Sequence, residues 1–223
     1  MGKGKVIVLE GLDGSGKSTQ LDLAVSYLKE NGVNCRKLSF PNYDSVSGML
    51  VEGYLKGEIS CDGRNGAYAA SVIYAIDRYT SCVADWKEYY ESGGVIVSGR
   101  YTTSNAIYQL TKVPEEERGE FLDWLFDLEY NKMGLPKPDM VIFLDMPVEV
   151  SQKLIEQRYL GDSTKKDIHE KNVGFLRECR KNALTVAERF KWEIISCADK
   201  TAPRSIEDIF AEICTYLRVL LFK

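Results

Sequence analysis

The 223 residues, 44% hydrophobic and 28% charged, supply enough apolar side chain for one substantial core and are too few to demand two domains. A formal net charge of -4 offers no general attraction to nucleic acid polymers or anionic membranes, so phosphate chemistry must come from local clusters. Six cysteines without a CxxC pair, and a single histidine, His169, with no cysteine at metal spacing, speak against a structural zinc site and for buried free thiols.

In chain order, two lysines after Met1 lead straight into an apolar run with no export pattern, and Val6 stands where a myristoylation signal wants Ser or Thr. No apolar run is long enough to span a bilayer, so the expectation is a cytoplasmic protein without membrane contact. Strand-like runs are predicted at Lys5–Glu10, Asn34–Phe40, Gly94–Ser98, Asp139–Asp145 and Trp192–Cys197. Four of them (VIVL, VIV, MVIFL, EII) are nearly continuously apolar, as parallel strands covered on both faces require. Helix patterns fall between them: Lys17–Asn31 ended by Gly32, Asn65–Glu91 ended by Ser92-Gly93-Gly94, then Pro114–Tyr130, Pro147–Arg158, Ile168–Lys191 and Ser205–Leu221. The alternation predicts an α/β fold with a parallel sheet. The polar stretch Leu160–Asp167 separates two helices and is either a mobile lid or an ordinary solvated loop.

Directly after the first run comes EGLDGSGKST, which meets G-x-x-x-x-G-K-[ST] through Gly11, Gly16, Lys17 and Ser18. Glycines let the backbone wrap so that its N–H groups face phosphate oxygens, and the helix starting near Lys17 aims its positive end at the same point. The loop comprising Gly11, Gly14, Ser15, Gly16, Lys17, Ser18 and Thr19 is therefore expected to hold the phosphates of ATP, with Lys17 bridging the β- and γ-phosphates and Ser18 offering its hydroxyl to Mg²⁺. The motif alone does not say what is done with the nucleotide. A GTPase would carry N-K-x-D, but Asn131-Lys132-Met133-Gly134 lacks the Asp, and Lys171-Asn172 runs in reverse. A motor ATPase would end a core strand on an acidic pair, which VIVSGR and VIFLDMP lack. The compact length favours a kinase for a small acceptor.

Three further segments, in order and spacing with EGLDGSGKST, make the chain resemble the thymidylate kinase family of P-loop nucleoside monophosphate kinases: FPNYDS at Phe40–Ser45, YAIDR at Tyr74–Arg78 and GRYTTSNAIYQ at Gly99–Gln109. The resemblance implies a P-loop NTPase three-layer fold, a five-stranded parallel sheet flanked by helices, in one kinase domain with a short mobile lid near residues 158–168. It implies transfer of phosphate from ATP to a nucleoside monophosphate, with dTMP the foremost acceptor, and a homodimer paired through helices. By resemblance, Phe40 and Tyr74 enclose the base, Arg78 and Asn105 read its edge beside Ser104, and Arg100 holds the acceptor phosphate. Tyr108 would crowd the 2′ position of the sugar, and Arg158, Lys165 and Lys166 would bring positive charge from the lid over the transferring phosphoryl group. Gly14 stands where some members carry an arginine, which assigns that cation to the lid.

Two positions depart from the family pattern. Gly99-Arg100-Tyr101 lacks the usual Asp before the arginine, leaving Asp13 to support the metal or the acceptor sugar, and Asn42 replaces an arginine near the acceptor phosphate. Gly99 leaves two readings open: a working kinase served by Asp13 and Ser18, or a nucleotide-binding module with weak or no transfer. A kinase for another nucleotide or a deoxynucleoside is the remaining alternative. Catalysis would rest on Lys17, Arg100, Arg158 and Asp13 through positioning and charge neutralisation, since a phosphate acceptor needs no general base.

Overall fold

Five strands form one wholly parallel sheet: β1 (Lys5–Gly11), β2 (Cys35–Ser39), β3 (Val95–Gly99), β4 (Met140–Asp145) and β5 (Glu193–Ser196). Their order in this computed structural model is β2-β3-β1-β4-β5. The structure describes residues 3–158, 172–199 and 202–222. The apolar runs of β1, β3 and β4 are the inner strands, and CRKLS of β2 and EIIS of β5 are the edges. The chain fills one side of β1 with β2 and β3 and then crosses to the other with β4 and β5, so a crevice opens at the carboxyl end of β1, where ligands gather in such sheets.

Alternation along each strand divides the core between two faces. Ile7, Leu9, Val97, Ile142, Leu144 and Ile195 pack on α1 (Lys17–Glu30) and α9 (Ile206–Leu221) through Leu21, Leu28, Ile213 and Leu217. On the other face, Val6, Val8, Ile96 and Val141 meet Trp86 and Tyr101, while Phe143 meets Ile107, Leu176 and Cys179. This is the three-layer arrangement expected from the sequence. All six cysteines are buried and free, and no described helix is long and apolar enough to cross a membrane.

The helices differ from the sequence pattern in three places. The expected helix over 65–91 is α3 (Gly63–Ser81), a π-helical turn (Cys82–Trp86) and α4 (Lys87–Glu91), with fully buried Trp86 closing the wide turn. The segment from Pro114 gives α6 (Arg118–Phe126) and a second π-helical turn (Asp127–Lys132). An unexpected helix, α2 (Val46–Leu55), contains Gly48 and Gly53, which lower helix propensity. Tertiary contact decides there: a Cβ on Gly48 would run into the Asn42 carbonyl, and the Ser45 side chain accepts from Gly48 N. The chain continues with α5 (Thr102–Tyr108), α7 (Val148–Arg158) and α8 (Val173–Phe190), and a short hairpin of β6 (Ala198–Asp199) and β7 (Ala202–Pro203) precedes α9. The polar stretch 160–167, Lys165, Lys166 and the side chain of Arg158 lie outside the described residues.

Phe121 of α6 is fully buried, with the Tyr68 ring edge-on at 5.2 Å. Phe121→Ala is expected to lower the unfolding free energy by about 3–5 kcal/mol in urea titration.

Candidate active site

The loop after β1 has the conformation its glycines permit. Gly14 and Gly16 take φ of 76° and 81°, and the Ser15 N–H closes the turn on the Leu12 carbonyl. Gly11 is required for a different reason: a side chain there would strike Ser15 and the Leu144 Cβ. The buried Ser15 hydroxyl finds no hydrogen-bond partner among the described residues, as suits a group waiting for a phosphate oxygen. Ser18 and Thr19 face solvent at the start of α1, and Lys17 is half-buried.

Lys17, Ser18 and Asp13 line one cleft of about 390 Å³ together with Phe40, Tyr74, Arg78, Gly99, Arg100, Ser104, Asn105, Tyr108 and Gln109. Nearly all acceptor-side positions expected from the sequence thus meet the P-loop in a single cavity. Asn42 is not among its lining residues; its backbone N–H donates to Asp77 instead.

At the centre, Arg100 Nη2 donates to Asp13 Oδ1 at 2.5 Å and its guanidinium lies 5.1 Å from the centre of the Tyr108 ring. The Tyr108 hydroxyl reaches Asp13 Oδ2 at 3.5 Å. Burial pushes the phenols of Tyr108 and Tyr74 upward from their ordinary values, so both stay neutral donors near neutral pH. Arg100 adopts φ of 70°, a left-handed conformation that costs a non-glycine residue roughly 1–3 kcal/mol. Its neighbours hold it there: Ser98 Oγ donates to the Arg100 carbonyl, and the fully buried Glu10 accepts from Tyr101 N, Thr103 Oγ1 and Ser104 Oγ.

The far end of the cleft is built on α3. Tyr74 carries Tyr54 edge-on at 6.0 Å, and Lys112 Nζ donates to the Tyr54 hydroxyl at 2.9 Å. Arg78 is fully buried and gives Nε and Nη2 to the Glu129 carboxylate at 2.6 and 2.5 Å. Asn105 Nδ2 is directed to the Ser71 carbonyl at 3.2 Å.

Sequence reasoning missed four side chains here. Glu10 and Glu129 are the buried carboxylates just described. Asp77, one residue before Arg78, accepts from Asn42 N, Ser45 Oγ and Ser47 Oγ and so fastens the loop carrying Phe40. Gln109 is buried, lines the cleft, and its Oε1 has no hydrogen-bond partner among the described residues. The run SNAIYQ does place Gln109 one turn beyond Asn105, and that i, i+4 spacing was the available signal.

For a metal, the described residues contain no group of three or more His, Cys, Asp or Glu side chains. The Ser18 hydroxyl at the head of α1 fits a Mg²⁺ ion that takes most of its ligands from phosphates and water. Asp13 is engaged by Arg100 and Tyr108.

Comparison with known proteins adds an independent line. Residues 9–213 match the family model described as thymidylate kinase. The chain is 33% identical to a probable thymidylate kinase of Pyrococcus horikoshii, over 97% of both chains, and 32% identical to the thymidylate kinase of Plasmodium falciparum over 79% of each. Its fold is similar to the solved thymidylate kinase of Candida albicans with a TM-score of 0.72, at 20% identity, covering 97% of this chain and 92% of that one.

Asp77→Ala removes a buried carboxylate from three donors, and its loss is expected to lower stability by about 2–3 kcal/mol in urea titration.

Proposed function

The chain belongs to the thymidylate kinase family, and we propose that it transfers the γ-phosphoryl group of ATP to dTMP, giving dTDP and ADP. The observation that carries this reading is the single cleft with phosphate-binding groups at one end and base-sized polar and aromatic groups at the other. Lys17, the loop N–H groups and Ser15 hold the donor phosphates. Mg²⁺ on Ser18 supplies charge neutralisation across those phosphates when bound. Arg100 has donors beyond the one given to Asp13, and these take the acceptor phosphate in line with the donor. Asp13 then belongs to the acceptor side, where its contact with Tyr108 places a carboxylate and a phenol beside the sugar, and Tyr108 disfavours a 2′-hydroxyl. Arg158, with Lys165 and Lys166, supplies the cation over the transferring group.

At the base, Tyr74 and Phe40 provide flat faces. Arg78 can only donate, which suits the O4 carbonyl of thymine and opposes the amino group of cytosine. The unpartnered Oε1 of Gln109 suits the thymine N3–H donor, and cytosine has no proton there. A Cβ at Gly99 would meet only the end of the Leu21 side chain, at 2.9 Å, so Asp at this position is sterically within reach. Among the described residues the cations lining the cleft are Lys17, Arg78 and Arg100, and with Glu129 neutralising Arg78, Lys17 and Arg100 are left to meet the phosphates beside the lid cations.

We further infer a cytoplasmic homodimer. Exposed Val46, Met49, Leu50, Tyr79 and Val83 give α2, the end of α3 and the π-helical turn after it an apolar surface, and six free thiols suit a reducing compartment. Light scattering should give twice the chain mass.

An ADP-release assay with dTMP, dUMP, dCMP, UMP and thymidine tests the acceptor. The expected result is fastest release with dTMP and kcat/KM for dCMP lower by at least about 100-fold. Gln109→Ala should raise the dTMP KM about 10-fold and leave the ATP KM unchanged. Activity absent in the native chain and present in Gly99→Asp would instead favour a nucleotide-binding module.

A further inference from the structure

The geometry points to Glu129 as a positioning residue for acceptor recognition, acting through Arg78; the inference rests on the dTMP reading above. Within the π-helical turn Asp127–Lys132, Glu129 is the buried residue. Such wide turns are uncommon and gather at functional sites, because they re-aim one side chain without ending the helix. Here the re-aimed side chain is a fully buried carboxylate that accepts from Arg78 Nε, Arg78 Nη2 and Thr102 Oγ1 at 2.6, 2.5 and 2.7 Å.

The pair does little for stability alone, since the desolvation of two buried charges offsets most of their attraction. Its consequence is orientation. A guanidinium has five N–H donors in a rigid plane. Glu129 takes two along one edge and the Tyr101 carbonyl accepts from Nη1 at 3.4 Å, leaving at most two for a ligand. Both remaining donors belong to the terminal nitrogens, so the fork presented to the cleft is fixed in direction by the carboxylate behind it. Without Glu129, a four-torsion side chain would be free to turn toward Asp13, the carboxylate that lines this cleft. Arg78 would then compete with Arg100 for Asp13 instead of reading the base.

Glu129 does not line the cleft, and of its two partners, Arg78 and Thr102, only Arg78 does, so its effect on base reading runs through that arginine. Glu129→Gln is expected to raise the dTMP KM about 10-fold or more, change kcat less than about 3-fold, leave the ATP KM unchanged and narrow the preference for dTMP over dCMP. In an Arg78→Met background the same substitution should have no further effect on the dTMP KM, because the two residues act as one unit. Glu129→Asp, which keeps the charge and withdraws it by one methylene, gives the same readings if the Gln variant does not fold. An unchanged dTMP KM in the Glu129 variants, with Arg78→Met raising it, overturns the role of Glu129 and leaves the acceptor reading intact. An unchanged dTMP KM in Arg78→Met as well overturns base reading by Arg78. Equal increases in the dTMP and ATP KM would show a general structural defect and also overturn the inference.

Discussion

Two buried carboxylates grip the short segment that follows β3, and the active cleft depends on that grip. Glu10, at the end of β1, accepts from Tyr101 N, Thr103 Oγ1 and Ser104 Oγ, while Glu129 accepts from Thr102 Oγ1 and from Arg78. Successive residues are thus fastened on opposite sides. A helix start rich in Thr and Ser is a poor helix former in isolation, because those side chains compete for backbone hydrogen bonds. Here the hydroxyls are committed to the carboxylates, so the competition is removed and α5 begins where Asn105, Tyr108 and Gln109 need it. The same clamp holds Arg100 in its left-handed conformation, which aims the guanidinium across the P-loop mouth toward Asp13.

How much of this was legible in the sequence follows from the range of the interactions. The P-loop, the apolar strands and the flanking helices are local patterns, and they were read with boundaries within a few residues. Gly11, Gly14 and Gly16 announce a turn because glycine tolerates what that turn demands. Tyr74, Arg78, Arg100, Asn105 and Tyr108 were found through family resemblance and do converge on one cleft. Glu10 and Glu129 were not found: the first bonds residues up to 94 positions away, the second a residue 51 away, and each alone looks like an ordinary acidic residue. Gln109 was missed because an orphaned acceptor becomes visible only once burial is known. The helix α2 was missed because propensity counts glycines as a cost, whereas Gly48 is what lets the helix approach the Asn42 carbonyl.

Electrostatics explains why the departures from the family pattern need not disable the cleft. A kinase for a monophosphate must bring two anions together, so surplus fixed carboxylates near the transferring group are a cost unless a cation or metal answers each one. Asp13 is answered by Arg100, Glu129 by Arg78, and Asp145 at the end of β4 by both nitrogens of an Arg180 edge. Gly99 adds no further negative charge to this set.

The absence of an arginine at position 14 has a structural counterpart on the neighbouring helix. A Cβ on Gly14 would lie 2.8 Å from the Ser151 carbonyl and 2.9 Å from the Ile155 side chain, so α7 occupies the space a longer residue would need. The P-loop therefore contributes close packing where an arginine would have contributed charge. Ile155 and position 158 are three residues apart on α7 and share a helix face, with position 158 roughly 4.5 Å farther along the axis. A helix docked on Gly14 through Ile155 consequently carries position 158 along the face turned to the phosphate loop. The close packing of α7 thus ties the choice of glycine in the loop to the placement of the helix that ends at position 158.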